Sequence, residues 1–348
     1  MKKKNKFIIN ILGLVLTMGL LSACGNNDEA GTTSENNEDS TGEQIILKMG
    51  NITQANSELS LTLERIGKEL EKRTDGRIKA EYYPAGQLGN ESDMMQQLNT
   101  GSLDIGNITT AQLSNSSPAF GAWLMPFLVD NHEQAYKLWT SEESMALFDT
   151  LTDENVKGLG YSSSGFRYIL STKPIVEAKD FNGYKLRTTP SPTILDYWNS
   201  LKASPTPMPL TEVYTSLQTG VIDGIDIDSE AVTSEKLTDI AKHMTPDNHM
   251  YWASAILINK DLWNRLSEED QELLQEVVNE KTKENAEQIE ANEKELLETG
   301  EETLGITIHS LKDRSEFDPY IKKVEDIWKE KSPEIADFLK KAEEIKAE

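Results

Sequence analysis

Few residues of this chain that could do chemistry stand in a spacing that would let them do it. His132-Glu133-Gln134-Ala135-Tyr136 begins as a His-Glu-x-x-His zinc helix would, but a tyrosine occupies the second ligand position. Gly158-Leu159-Gly160 opens like a dinucleotide fingerprint and then has Ser163 where a glycine belongs. Asp226-Ile227-Asp228-Ser229-Glu230 resembles the start of a calcium loop, yet Ala231 replaces the glycine that allows its sharp turn. A solvated acidic loop is the simpler reading there. No nucleophile elbow or phosphate loop is present, which lowers the odds of an enzyme without excluding a carboxylate pair distant in sequence. Arg187 is a different kind of candidate. In Tyr184-Lys185-Leu186-Arg187-Thr188, strand alternation sets it opposite Leu186, beside a proline-rich turn. A guanidinium there can fork a carboxylate, although the ordinary role of such a residue is a surface ion pair.

The elements that would position these residues alternate in the manner of an α/β protein. Strand-like runs lie at 45–49, 77–83, 156–161, 184–188, 254–258 and 306–309. Residues 54–72 carry Leu59, Leu63, Ile66 and Leu70 on one helical face, closed by Thr74-Asp75-Gly76. Leu98-Asn99-Thr100-Gly101-Ser102-Leu103-Asp104 and Leu217-Gln218-Thr219-Gly220-Val221-Ile222-Asp223 echo each other across 119 residues. In each, a helix should end at the glycine and a strand follow, which suggests two lobes of related construction. Ser267-Glu268-Glu269-Asp270 reads as a capping box for a helix running to about residue 298. Its apolar face is dense at Leu273, Leu274, Val277 and Val278 and returns at Leu296 and Leu297, as a strut across two lobes would show. An exposed charged helix is the alternative. Two further helices should close the chain.

The N-terminal end points to a compartment. Lys2, Lys3, Lys4 and Lys6 precede an apolar run from Phe7 to Leu21, the order of a signal peptide. Leu21-Ser22-Ala23-Cys24 resembles a lipobox, with Cys24, the only cysteine of the chain, as the lipidation site. Residues 1–23 are then a cleaved leader, and 24–43 a polar tether unable to bury a core. With no second cysteine there is no disulfide framework. The 348 residues carry a net charge of −24, and losing the four leader lysines deepens it to −28. Such a surface is repelled by nucleic acid and by anionic lipid. An anionic ligand would need a local positive site against that field.

The stretch from Tyr161 to Asp228 carries a resemblance. It contains Gly165-Phe166-Arg167, then Asp180-Phe181-Asn182-Gly183-Tyr184-Lys185-Leu186-Arg187, then Ala203-Ser204-Pro205-Thr206-Pro207-Met208. Glu212-Val213-Tyr214-Thr215-Ser216-Leu217-Gln218-Thr219-Gly220-Val221-Ile222-Asp223-Gly224 follows. With Pro84-Ala85-Gly86-Gln87-Leu88-Gly89 and Pro126-Phe127-Leu128 upstream, these blocks resemble the DctP-like solute-binding components of TRAP transporters over about residues 45–300.

The resemblance implies a two-lobed, periplasmic-binding-protein-like fold of the class II type, with a long helix bridging both lobes. Lobe I would span 44–164, with about 253–295 returning to it. Lobe II would span 165–252, with about 296–348 packed on it. Arg187 would hold the ligand carboxylate and Arg167 assist. Asp226 keeps an acidic position of the family, whereas an asparagine that often bonds ligand is here Ile227. Trp252, Tyr214, Glu91 and Thr109 are further wall candidates, and Trp198 a core residue. The implied function is an extracytoplasmic receptor that closes over a small organic acid and passes it to the membrane subunits of a TRAP transporter. It would be lipid-anchored at the cell membrane, a monomer, and need no metal or cofactor. A sensory module serving a membrane signalling kinase would use the same cleft.

Overall fold

Among the described residues nine strands form: β1 (Ile45–Gly50), β2 (Ile78–Tyr83), β3 (Ile105–Thr109), β4 (Val156–Ser171), β5 (Lys185–Thr188), β6 (Ser204–Pro207), β7 (Gly224–Asp228), β8 (His243–Asn259) and β9 (Thr307–Ile308). The structure, a computed structural model, describes residues 44–348, so the leader, Cys24 and the tether lie outside the described residues. All nine strands join one mixed sheet in the order β2-β1-β3-β8-β4-β7-β5-β6, with β9 added beside β8.

Two strands make this sheet unusual. β4 has 16 residues and β8 has 17, and they run antiparallel through both halves of the sheet. Residues 254–258 of β8 pair with β3, while Arg167–Ser171 of β4 pair with β7 and His243 and Met244 of β8 with β9. Only one end of each is apparent from residue pattern. The polar Ser162-Ser163-Ser164-Gly165 run and the turn-forming Pro246-Asp247-Asn248 interrupt the alternation. Both interruptions are bulges. The ladder slips between Ser163 and Phe166, where Gly165 takes φ +85°. It slips again where Arg167 pairs with Met250 but Ile169 with Thr245, so residues 246–249 stand out with Asn248 at φ +52°.

Helices Glu58–Arg73 and Glu91–Thr100 pack on the β1–β3 half, the first burying Leu59, Leu63, Ile66 and Leu70 as its spacing predicts. The 119-residue echo has the same backbone twice: Gly101 and Gly220 end their helices at φ 72° and 71°, and β3 and β7 follow.

The strut is longer than its pattern indicates, running from Glu268 to Leu304, 37 residues, or about 55 Å. Ser267 accepts the Asp270 N–H at 3.1 Å to cap it. Leu274, Val277 and Val278 pack with Leu63, Ile66 and Ile256 in one apolar cluster, whereas Leu296 joins a second cluster with Ile306 and Phe317. Between them, Asn285 brackets Ser163, accepting its N–H at 2.7 Å and donating to its carbonyl at 3.1 Å. Glu293 accepts the Phe166 N–H at 2.9 Å. The helix therefore grips β4 on both sides of its kink.

The closing helices, Asp318–Lys329 and Pro333–Lys346, do not pack on the second half alone. Phe338 meets Trp123 edge-on at 5.0 Å, so the last helix covers residues 118–146, a stretch the sequence assigns to the first lobe. The aromatic side chains of 118–139 need an apolar cover, and these helices provide it. Among the described residues no helix is long and apolar enough to cross a membrane.

Candidate ligand-binding site

Arg187 is the penultimate residue of β5, which lies between β7 and β6 in parallel register, so the backbone holds its Cα on two sides. The side chain is 2 % exposed. Its Nε and Nη2 both donate to the Met208 carbonyl, at 3.1 and 2.8 Å. That carbonyl is itself fixed, because the Met208 N–H continues the ladder to Thr188. One edge of the guanidinium is thus committed to backbone, leaving the outer end free. Among the described residues no carboxylate forms an ion pair with it, so the surface ion pair considered for this residue is not formed. Burial, then the positive charge of Arg167, pulls its pKa down to about 10, still protonated at neutral pH.

Arg167, on β4 just past the kink, is also held by its Nε–Nη2 edge, but against a carboxylate as well as a carbonyl. Its Nε donates to Asp226 Oδ1 and its Nη2 to the Asp226 carbonyl, while Nη1 lies 3.7 Å from Asp228 Oδ2. Trp252 covers its face, with the guanidinium carbon 3.8 Å from the ring centroid. Asp226 is wholly buried and also accepts from Trp198 Nε1 at 2.9 Å and contacts His249 Nε2 at 3.1 Å. His249 Nδ1 lies 2.9 Å from Asp247 Oδ1. Burial pushes the Asp226 carboxyl up, but Arg167 and His249 outweigh it and hold it well below the usual range. Burial likewise lowers His249, and Asp247 and Asp226 overcome this and bring it up to about 9. The 246–249 bulge is what turns Asp247 and His249 towards Asp226.

Both arginines open into one cavity of about 220 Å³ between the two halves of the sheet. Glu91, Thr109, Asp228 and Trp252 share its lining. Glu91 begins its helix and accepts from Thr109 twice, from N–H to Oε1 at 2.7 Å and from Oγ1 to Oε2 at 2.9 Å. Thr109 and Asp228 are the last residues of β3 and β7, and each caps the helix that follows, accepting from Gln112 N at 3.2 Å and from Ala231 N at 2.9 Å. They are 119 residues apart, as are Asn90 and Pro209, and Glu91 and Leu210, all in the lining. The internal echo thus extends into the cavity wall.

Of the seven residues singled out, the structure brings Arg187, Arg167, Trp252, Glu91 and Thr109 to the cavity. Asp226 is not in the lining; it stands behind Arg167 as an orienting partner. Tyr214 is 37 % exposed on helix Val213–Gln218, outside the lining, because its half-turn faces solvent. Asp226 and Asp228 face Arg167 rather than a shared cation, and among the described residues no three metal-ligating side chains converge. Trp198 is buried, as a core residue should be. Asp228, His249 and Asp247 were missed. Carrying the echo five residues beyond Asp223 reaches Asp228, and Pro246-Asp247-Asn248, turn chemistry within a strand, marks the bulge.

A family model described as bacterial extracellular solute-binding protein, family 7 (DctP) matches residues 49–333. A solute-binding protein of Roseobacter denitrificans is 30% identical over 230 residues, 66% of this chain and 70% of its own. The C4-dicarboxylate-binding protein DctB of Bacillus subtilis is 25% identical over 292 residues, 84% and 83% of the two chains. The sugar acid binding protein DctPAm of Advenella mimigardefordensis, in complex with galactonate, shares the fold at a TM-score of 0.83 and 23% identity, over 87% of this chain and 99% of that one.

Proposed function

The chain belongs to bacterial extracellular solute-binding protein family 7, and on that premise we propose that the outer guanidinium ends of Arg187 and Arg167 hold the carboxylate of its ligand. The protein is an extracytoplasmic receptor that binds a small organic acid and delivers it to a TRAP-type transporter. The observation that carries the site assignment is the shared construction of the two arginines. Each has its Nε–Nη2 edge already occupied, Arg187 by the Met208 carbonyl and Arg167 by the carboxylate and carbonyl of Asp226, and both side chains line the same cavity. A carboxylate bridging these ends would receive charge-assisted bonds from groups already oriented before it arrives.

Three finer features complete the reading. The lobes are residues 44–164 with about 253–295, and 165–252 with part of the chain after 296. They close by bending at Ser163–Phe166 and Met250–Ala253, where the ladder is irregular and the bridging helix attaches. Leu21-Ser22-Ala23-Cys24 supplies a lipid anchor, and the protein works as a monomer.

Native mass spectrometry of the purified protein tests the site. A small acid should co-purify or be taken up from a panel of carboxylates by the wild type and be lost from Arg187→Ala. A wild type that takes up no carboxylate, or an alanine variant that retains it, would show that the site lies elsewhere. For the anchor, Cys24→Ser should abolish membrane partitioning, and unchanged partitioning would refute the lipobox.

A further inference from the structure

We propose that Glu91 and Asp228 make the cavity selective for an acid with one carboxylate and a hydroxylated tail, and turn away acids with a second carboxylate. The inference rests on the carboxylate reading above and concerns which members of that class enter.

The charges in the lining come in equal numbers. Arg167 and Arg187 supply two positive groups, Glu91 and Asp228 two negative ones, and among the described residues the lining has no further cation. One incoming carboxylate finds both guanidinium ends. A second would share about 220 Å³ with two fixed carboxylates and no cation of its own, on a chain whose net charge is already −24.

The same two side chains suit a hydroxyl. An ionised carboxylate only accepts hydrogen bonds, and its two oxygens offer about four lone-pair sites. Glu91 uses one site on each oxygen for Thr109, and Asp228 uses one on Oδ1 for the Ala231 N–H while its Oδ2 lies 3.7 Å from Arg167 Nη1. The remaining sites can be met by hydroxyl donors, whereas a second carboxylate brings acceptors alone. Asn90 and Gln112, also in the lining, both donate and accept and so do not discriminate. Ile227 and Trp252 give apolar surface for the C–H face of a hydroxylated chain.

Isothermal titration with matched pairs tests this directly: galactonate against galactarate, gluconate against glucarate, threonate against tartrate. Each pair differs only in whether the far end is a primary alcohol or a carboxylate. In every pair that binds, the monoacid should be tighter by at least ~10-fold. Asp228→Asn and Glu91→Gln should each narrow that ratio, and their melting curves separate loss of discrimination from loss of fold. A diacid, or succinate, that binds as tightly as its hydroxylated monoacid counterpart overturns the inference while leaving the arginine site intact. Preference for an amino acid over a hydroxy acid of equal length overturns the hydroxyl assignment. If no carboxylate binds and removing Arg187 changes nothing, the site reading falls and takes the inference with it.

Discussion

Arg187 donates twice to one acceptor, the carbonyl of Met208, at 3.1 and 2.8 Å, before any ligand enters. It is therefore both an anchor and part of the lobe. Arg187→Ala should cost roughly 2–5 kcal/mol in binding, through loss of charge-assisted bonds to a buried carboxylate. It should also lower apo stability by about 1–3 kcal/mol, because the Met208 carbonyl is left buried without its donors. Arg187→Lys cannot reach the carbonyl and the ligand with the same planar fork and should bind weakly too. Calorimetric binding and thermal melts separate the two effects; an unchanged Kd would rule out the anchoring role.

The buried chain Arg167–Asp226–His249–Asp247 should give a two-sided pH profile. His249 is raised to about 9 from 6.5, so its contribution is fully present below pH 6.5 and lost as pH rises through 9. Asp226 is depressed, so its contribution is present above 3.8 and lost on acidification below that. Asp247, raised by burial, works against Asp226 at the acid end. His249→Gln should remove the alkaline decline in Tm, and a decline that persists in the variant would place its cause elsewhere.

Glu230 joins the two halves: its Oε1 accepts the Glu58 N–H at 3.1 Å, and Asn292 of the bridging helix donates to Oε2 at 3.4 Å. Burial first, with the nearby Asp228 and Glu58 carboxylates, pushes it up to about 7. The folded state then holds a proton that the unfolded chain has released between 4.5 and 7. Stability should rise as pH falls across that window. Glu230→Gln should flatten the rise, worth on the order of 1–3 kcal/mol. Parallel Tm–pH curves for variant and wild type would contradict this.

At the kink, Gly165 has φ +85°, and a Cβ there would lie 2.6 Å from Glu293 Oε2 and also strike Ser229 Oγ. Gly165→Ala should cost about 2–3 kcal/mol in stability. Because Glu293 is displaced from the bend, ligand affinity should change as well. Urea denaturation and titration measure both, and a neutral variant would mean the kink tolerates a side chain.

Much of this was legible in the sequence where one physical signal dominated. Leu59, Leu63, Ile66 and Leu70 sit on one face because helical spacing leaves them no alternative. Gly101 and Gly220 mark left-handed helix ends because side chains disfavour that conformation. Legibility failed where tertiary contact overrode local pattern. The middle of β4 reads as a serine-rich loop, and it is a strand only because β8 and Asn285 pair with its backbone. Asp226 and Asp228 are alike by type and two residues apart. Only the geometry shows that one steadies Arg167 from behind while the other enters the cavity.

The path of the chain has a bearing on descent. It passes from one half to the other along β4, returns along β8, and crosses again in the helix Glu268–Leu304. The lining residues nevertheless fall into two continuous stretches, Ile52 to Gln112 and Arg167 to Trp252. Arg167 and Trp252 belong to separate crossings yet stack on each other. Recombination with a breakpoint between them would split that pair, and with it the wall it forms. A shuffled segment carries that wall intact only if it brings both crossings together.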